Sequence, residues 1–279
     1  MPRIRKTTDF PIHVDLETTN ICNLDCVHCG RPLMGDKTGI LDWSIFVKVL
    51  KELEKENCPS LKLNWRGEPL IHPLLPEMIE VAKKRAKIVE VQINTNAQLL
   101  TKQKSKKLAQ AGLDRIIISA DGITKQTYEK IRINASWEKL IENLSFLVCL
   151  PNRPKIRIQT CEMPQNATEI PRFLDFWKPY ADEVVIHTSF DPMKRKDPLL
   201  KRKIKKQCPQ LWQRLVVAWN GDIHPCCVDW ASKGILGNIK NTTLKEVWHS
   251  AQERYLRFCH KNNIAGIAEP CKYCDNYLV

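Results

Sequence analysis

Strand-like and helix-like segments alternate along the first two-thirds of this chain, and that alternation limits the possible folds more than any other feature. "IHVDLET" (Ile12–Thr18) alternates apolar and polar residues, the period of a half-buried strand. "LDWSIFVKVLKELEKEN" follows, with Ile45, Phe46, Val49, Leu50 and Leu53 at helical spacing and Asp42 placed to cap it. The pattern then repeats. Strand "LKLNW" (Leu61–Trp65) leads to helix "LLPEMIEVAKKRA", and strand "VEVQINT" (Val89–Thr95) to helix "TKQKSKKLAQAG", closed by Gly112. Strand "RIIISA" (Arg115–Ala120) precedes helix "SWEKLIENLSFLVCL", and strand "KIRIQTC" (Lys155–Cys161) precedes helix "ATEIPRFLDFWKPY"; "EVVIHTS" (Glu183–Ser189) is the last strand of the series. "RIIISA" is almost continuously apolar, as befits a strand covered on both faces. Six strands joined by helices imply an α/β fold with a parallel sheet. Six are too few to close the eight-stranded barrel, so the expectation is a partial (β/α)6 barrel with its site beyond the strands' C-terminal ends.

The segments that follow the strands fit one shared site. "NICNLDCVHCG" follows the first strand, "RGEPL" the second, "NTNA" the third and "SADG" the fourth. Gly and Asn also make ordinary turns; it is the joint placement of these tips that points to a common function.

Cysteine usage narrows the chemistry. The chain has 279 residues and 12 cysteines. Its N-terminal stretch has basic residues but no apolar core of a signal peptide, and no run approaches the roughly 18 apolar residues of a membrane span. The expected location is therefore the cytoplasm, where thiols stay reduced and clustered cysteines bind metal or do redox work. Cys58, Cys149 and Cys161 stand alone among apolar neighbours, as small buried hydrophobes do. Cys22, Cys26 and Cys29 are different: C-x3-C-x2-C, with no fourth cysteine beside them. Three thiolates can hold three irons of a [4Fe–4S] cube and leave the fourth open, whereas four-cysteine sites are closed. Zinc is the competing reading, but zinc favours C-x2-C pairs closing to four ligands, and His28 is poorly placed to complete such a set.

From Cys208 the pattern changes. "CPQLWQRLVVAWNGDIHPCC" reads as two strands around Asn220–Gly221, helical "TLKEVWHSAQERYLRFCHKN" follows, and "CKYC" lies near the end. The expected organisation is a barrel over 1–193, a basic linker over 194–207 and a small hairpin-plus-helix cluster-binding module over 208–279. The linker region "KRKDPLLKRKIKK" carries eight basic residues of a chain with net charge +13. It reads as a solvated connection or as a strip attracting an anionic substrate, an acidic peptide or RNA. Aromatic residues do not interleave with it, which makes nucleic acid the weakest of these.

The cysteine triplet after a first strand, with "GEP" after a second, resembles the radical S-adenosylmethionine (radical SAM) enzymes, from about Ile12 to the C-terminus. The resemblance implies that Cys22, Cys26 and Cys29 ligate a [4Fe–4S] cluster whose open iron binds SAM. Reductive cleavage of SAM then yields a 5′-deoxyadenosyl radical that abstracts a substrate hydrogen. It also implies an external electron donor of flavodoxin or ferredoxin type. His28 would lie near the adenine, and Gly67, Glu68 and Pro69 would form the turn holding the SAM amino group. Asn96, Ser119 and Asp121 would contact its ribose and methionine ends. Arg66 stands where the family commonly has the first glycine of "GGEP", and Ala97 where it has the glycine of "TNG". The C-terminal module resembles the short SPASM/twitch extension, through "GDIHPCC" and "LGNI…TLKEVW". That likeness implies one auxiliary [4Fe–4S] cluster held by Cys208, Cys226, Cys271 and Cys274. The spacing from Gly221 favours Cys226 over Cys227, and a zinc ribbon is the alternative.

A closed auxiliary cluster suits electron transfer, so the expected function is dehydrogenation of a small polar substrate, sugar- or cyclitol-like, with an anionic handle. Epimerisation is the second reading, with Cys161, Cys227 or Cys259 as hydrogen donor. Maturation of a ribosomal peptide is the third; little chain precedes the first strand, leaving scant room for a leader-binding domain. From another class comes a non-catalytic iron–sulfur or zinc scaffold that binds RNA, against which the "GEP" and "SADG" tips argue. Arg132, Arg157 and Gln159 fall near strand tips as candidate substrate contacts, or as ordinary salt bridges of the sheet.

Overall fold

A computed structural model describes residues 8–35, 37–187 and 207–274. Strands β1 (His13–Leu16), β2 (Ser60–Lys62), β3 (Glu90–Thr95), β4 (Arg115–Ser119), β5 (Lys155–Cys161) and β6 (Glu183–His187) pair in parallel, each with the next. The sheet does not close: β6 and a late antiparallel strand are its two ends. This is the partial barrel expected from the alternation. Helices α1 (Trp43–Lys55), α2 (Leu75–Lys84), α3 (Lys102–Gln110), α5 (Trp137–Val148) and α6 (Ile170–Trp177) contribute to one apolar core with the strands. The helical spacing read in α1 corresponds to its buried face, Ile45, Phe46, Val49, Leu50 and Leu53. In β4, Ile116, Ile117 and Ile118 are all buried, consistent with a strand covered on both sides.

Local chemistry fixes the helix starts. Asp42 accepts from Ser44 N at 2.8 Å, Thr101 caps α3 through Lys104 N, and Ser136 caps α5 through Lys139 N. Each satisfies an amide that the helix itself leaves open. A further short helix, α4 (Lys125–Ile131), capped by Thr124, lies between β4 and α5. The sequence reading did not identify it. Strand β2 is shorter than expected, ending at Lys62. Leu63 N still donates to Gln92 O, but the Asn64 side chain then takes the Asn94 N–H at 2.8 Å. The ladder ends there, and Trp65–Arg66–Gly67 turns over the strand tips.

The C-terminal module joins the same sheet. Strand β7 (Arg214–Val217) pairs in parallel with β1, His13 opposite Arg214 and Leu16 opposite Val217. β8 (Asp222–His224) and β9 (Gly237–Asn238) add antiparallel, giving nine strands in the order β6-β5-β4-β3-β2-β1-β7-β8-β9. Helices α7 (Leu244–Trp248), with its Thr243–Glu246 capping box, and α8 (Ala251–Lys261) follow. Trp212, Leu256, Cys259, Ala268 and Cys271 belong to a second, smaller apolar cluster. The basic stretch 194–206 lies outside the described residues, as does the reading attached to it.

Candidate active site

The segment after β1 carries the cysteine triplet, and two other segments hold it. Gly67 is in near contact with its first residues: a Cβ there would lie 2.2 Å from Thr19 O and 2.6 Å from Ile21 O, so no side chain fits. Glu68 N donates to Ile21 O at 2.9 Å. On the other side, Val27 N donates to Ile131 O and Asp25 N to Ile133 O, at 3.0 and 3.1 Å. The triplet is thus clamped between the "GEP" turn and the end of α4.

Glu68 ties strand tips together. Its carboxylate is 2% exposed and accepts from Thr95 Oγ1 (2.7 Å), Asn96 N (2.8 Å) and Leu70 N (3.1 Å). Burial pushes its carboxyl above the usual range, though these donors pull the other way. Pro69 is buried and starts the following 3-10 turn. Ala97 has φ +59°, so this position keeps the left-handed backbone that glycine adopts most readily.

Together these elements line an open cleft of about 260 Å³. Cys22, Cys26, Cys29, His28, Gly67, Glu68, Asn96, Ser119, Arg132 and Cys161 all border it. Asn64, Trp65, Arg66, Asn94, Thr95 and Trp230 border it as well; Arg66, Asn94 and Thr95 belong to the strand-tip segments singled out in the sequence, whereas Asn64, Trp65 and Trp230 were missed. Trp65 and Arg66 immediately precede "GEP", which is a usable signal; Trp230 comes from the C-terminal module and gives none. Asp121 lies just behind the wall, 1% exposed. It meets Arg132 Nη2 at 2.7 Å and His28 Nε2 at 3.6 Å through Oδ2, and accepts from Thr160 Oγ1 at 3.1 Å through Oδ1. Burial works against charge on Arg132, yet Asp121 and Cys26 outweigh it and hold the guanidinium cationic.

The donor set suits an iron–sulfur cluster. The three thiols are half-buried, and burial raises all three pKa values, so an electrophilic partner is needed to keep them as thiolates. Donors already point at sulfur: Asn96 Nδ2 lies 3.8 Å from Cys22 Sγ, and Arg132 Nη1 lies 3.9 Å from Cys26 Sγ. Among the described residues, no three Cys, His, Asp or Glu side chains converge on a single ion. A cluster instead takes each thiolate at a separate iron.

A second, small cavity in the C-terminal module is lined by Cys208, Cys226, Cys271 and Cys274. Cys227 is not on its wall; it packs beside Trp65, Val216 and Ala218, and its carbonyl accepts from Trp65 Nε1 at 2.7 Å. His260 Nε2 is 3.3 Å from Cys271 Sγ. Burial pushes the Cys226 thiol well above its ordinary value and raises that of Cys271 too.

The remaining sequence candidates separate. Cys161 faces the cleft, its thiol pushed up to about 11 by burial and then by Asp121. Cys259 is fully buried in the small helical core and Cys227 lies behind Trp65, so neither reaches the cleft. Arg157 is spent on Glu183, at 2.8 and 2.9 Å, and Gln159 Oε1 lies 3.3 Å from His187 Nε2. Neither borders the cleft; both follow the salt-bridge alternative, in which neighbouring parallel strands pair their polar side chains.

A partial barrel with an open thiol triplet at its mouth and a closed four-thiol cavity appended is the architecture of an iron–sulfur enzyme. Comparison with known proteins makes the class specific. The radical SAM superfamily pattern matches residues 16–148, and that of the SPASM iron–sulfur cluster-binding domain matches 208–275. The chain belongs to the radical SAM superfamily and carries a C-terminal SPASM domain; its cofactors are SAM and [4Fe–4S] clusters. It is 25% identical over 313 residues to the tungsten-containing aldehyde ferredoxin oxidoreductase cofactor-modifying protein of Pyrococcus furiosus, covering 93% of this chain and 87% of that one. It is 29% identical over 174 residues to GTP 3′,8-cyclase of Chlorobaculum tepidum, matching 62% of this chain and about half, 51%, of the cyclase. Among solved structures, BtrN in complex with AdoMet and 2-DOIA shares the fold at TM-score 0.66 and 18% identity, covering 95% of this chain and 92% of BtrN. Streptococcus suis SuiB bound to precursor peptide SuiA shares it at TM-score 0.73 and 16% identity, covering 90% and 67%. No helix among the described residues is long and apolar enough to cross a membrane.

Proposed function

We propose that the protein is a cytoplasmic radical SAM dehydrogenase that oxidises a small polar molecule, sugar- or cyclitol-like and bearing an anionic group. The observation that carries this reading is the pairing of an open three-thiol cleft with a closed four-thiol cavity. The first has room for substrate chemistry, and the second offers all four ligands and so suits electron transfer. When bound, the two clusters and SAM would supply a hydrogen-atom abstractor in the cleft and an electron acceptor in the C-terminal module.

The chain's own residues would then do the following. Cys22, Cys26 and Cys29 hold the first cluster, and Cys208, Cys226, Cys271 and Cys274 the second. Glu68, fixed by its three donors, faces the amino group of SAM; Asn96, Ser119 and His28 line the rest of that subsite. Trp65 and Trp230 add aromatic surface to the cleft wall. The barrel over 1–193 and the module over 208–279 act on one substrate, and a flavodoxin or ferredoxin-type donor supplies the electron that starts each turnover. BtrN, whose structure in complex with AdoMet and 2-DOIA shares this fold over 95% of the chain, supports this reading.

Epimerisation is the second reading, favoured by one observation: Cys161 faces the cleft and keeps its hydrogen at neutral pH, its pKa being about 11. One experiment separates the two. The reduced protein should release 5′-deoxyadenosine and methionine from SAM; methyl transfer with S-adenosylhomocysteine as the sole product would sink both readings. With the substrate in hand, turnover in deuterium oxide should give a product lighter by two hydrogen atoms with no solvent deuterium at carbon. A product of unchanged formula carrying one deuterium at an inverted carbon would instead make Cys161 the donor.

A further inference from the structure

We infer that Arg132 is a built-in tuning residue of the SAM-binding cluster: its guanidinium, held by Asp121, hydrogen-bonds the Cys26 thiolate and raises the cluster's reduction potential. The inference rests on the assignment of Cys22, Cys26 and Cys29 as cluster ligands and is independent of whether the enzyme dehydrogenates or epimerises.

Four observations carry it. Arg132 is 7% exposed, so its charge acts in a desolvated setting. Nη1 lies 3.9 Å from Cys26 Sγ, within the range of an N–H···S hydrogen bond. Nη2 lies 2.7 Å from Asp121 Oδ2, and Asp121 is itself fixed by Thr160 Oγ1 and Cys161 N, so the fork cannot swing away. Finally, the backbone on either side of Arg132 is stitched to the cysteine loop, through Val27 N to Ile131 O and Asp25 N to Ile133 O. Sulfur and guanidinium are therefore delivered by one clamped unit. Nη1 and Nη2 each make one of these contacts while the side chain borders the cleft, so the same guanidinium faces both the cluster ligand and the site.

The consequence follows from charge. Reduction adds an electron to the cluster, and a fixed buried cation with a hydrogen bond to a ligand sulfur stabilises the reduced form. A higher potential makes the cluster easier to load from a cellular donor. Asp121 acts in the opposite sense, since its carboxylate partly cancels the guanidinium.

The test is a mediator-poised redox titration of the reconstituted full chain, followed by electron paramagnetic resonance with and without SAM. The signal that SAM perturbs is the one to follow. Arg132→Met should lower the reduction equilibrium of that signal about tenfold, equivalent to about 59 mV for one electron. Arg132→Lys should shift it less, because the charge remains while the fork is lost. Asp121→Asn should shift it upward. Iron content and circular dichroism check that each variant is folded and loaded. If Arg132→Met does not load the triplet, Arg132→Lys and Asp121→Asn decide alone. Equal potentials in wild type and both arginine variants, or shifts of the same sign for Arg132 and Asp121 substitutions, would overturn the inference, because a merely structural role predicts no opposition of sign.

Discussion

Arg66 grips Glu17 with two near-parallel hydrogen bonds, 2.8 Å from Nε to Oε1 and 2.9 Å from Nη2 to Oε2, and both side chains are buried. The remaining arm, Nη1, reaches Trp230 O at 3.3 Å and Ser232 Oγ at 3.2 Å, while the guanidinium lies 3.8 Å from the centre of the Trp65 ring. Trp219 N also meets Glu17 Oε2, at 3.3 Å. One side chain thus joins the residue just after β1, the turn before "GEP" and the C-terminal module. It explains why an arginine stands where relatives commonly have glycine.

Arg66→Gly should therefore be costly here although glycine is common at this position in the family. It leaves Glu17 buried without its cationic partner, a loss of about 3–5 kcal/mol. The midpoint of urea unfolding should fall sharply, and Glu17→Gln in the same chain should recover part of the loss. An unchanged midpoint in Arg66→Gly would mean that the carboxylate finds another partner.

Gly67→Ala should disable the triplet selectively. Its Cβ would sit 2.2 Å from Thr19 O, so the cysteine loop must move, at a cost of about 1–3 kcal/mol for overpacking. Bound iron should drop from about eight to about four atoms per chain, one cluster's worth. Retention of all the iron, with SAM still cleaved at the wild-type rate, would show that the loop tolerates the displacement.

Iron counting also decides the adjacent cysteines. Removing Cys22, Cys26 and Cys29 together should leave about four irons, and so should Cys226→Ala, while Cys227→Ala should keep about eight. The reason is geometric: Cys226 lines the four-thiol cavity and Cys227 packs beside Trp65. The reverse outcome, iron lost with Cys227 and kept without Cys226, would reassign the ligand.

Glu253 predicts a pH effect. It is fully buried on α8, with Arg257 Nη2 at 3.2 Å, and burial lifts its pKa from 4.5 to about 8. A raised folded pKa means that the folded state keeps a proton the unfolded chain releases. Stability from this group is therefore complete below pH 4.5, declines as pH rises, and is lost above about 8. Glu253→Gln keeps the shape without the titration. Its unfolding free energy should exceed the wild-type value increasingly from pH 5 to pH 8, by on the order of 3 kcal/mol near neutrality. Parallel pH profiles for the two proteins would contradict this.

Much of this architecture was legible because it depends on period and spacing. The six parallel strands follow from patterns repeated over many residues, and the Asp42 cap, the left-handed Gly112 just past α3 and the two cysteine sets from residue type and spacing. What stayed hidden depends on single long-range contacts. The seven-residue helix α4 is too short to show a periodic face, and with it went the clamp that brings Arg132 to Cys26. Arg157 and Gln159 lie close to a strand tip in sequence, but pairing with Glu183 and His187 on β6 turns them away from the cleft. Trp230 reaches the cleft only because β7 pairs with β1, a partnership between segments some 200 residues apart that local pattern does not encode.

That partnership has a consequence for how the chain is made. β1 leaves the ribosome some 200 residues ahead of β7, the strand that covers its second edge. Until then the nascent barrel carries an unpaired parallel edge beside the cysteine loop, the kind of edge that recruits other strands. A fragment stopped before β7 would keep that edge permanently. Co-translational aggregation, and with it premature exposure of the thiols to oxidation, is thus the hazard this topology sets, and recombinant yield should respond to translation speed and to anaerobiosis.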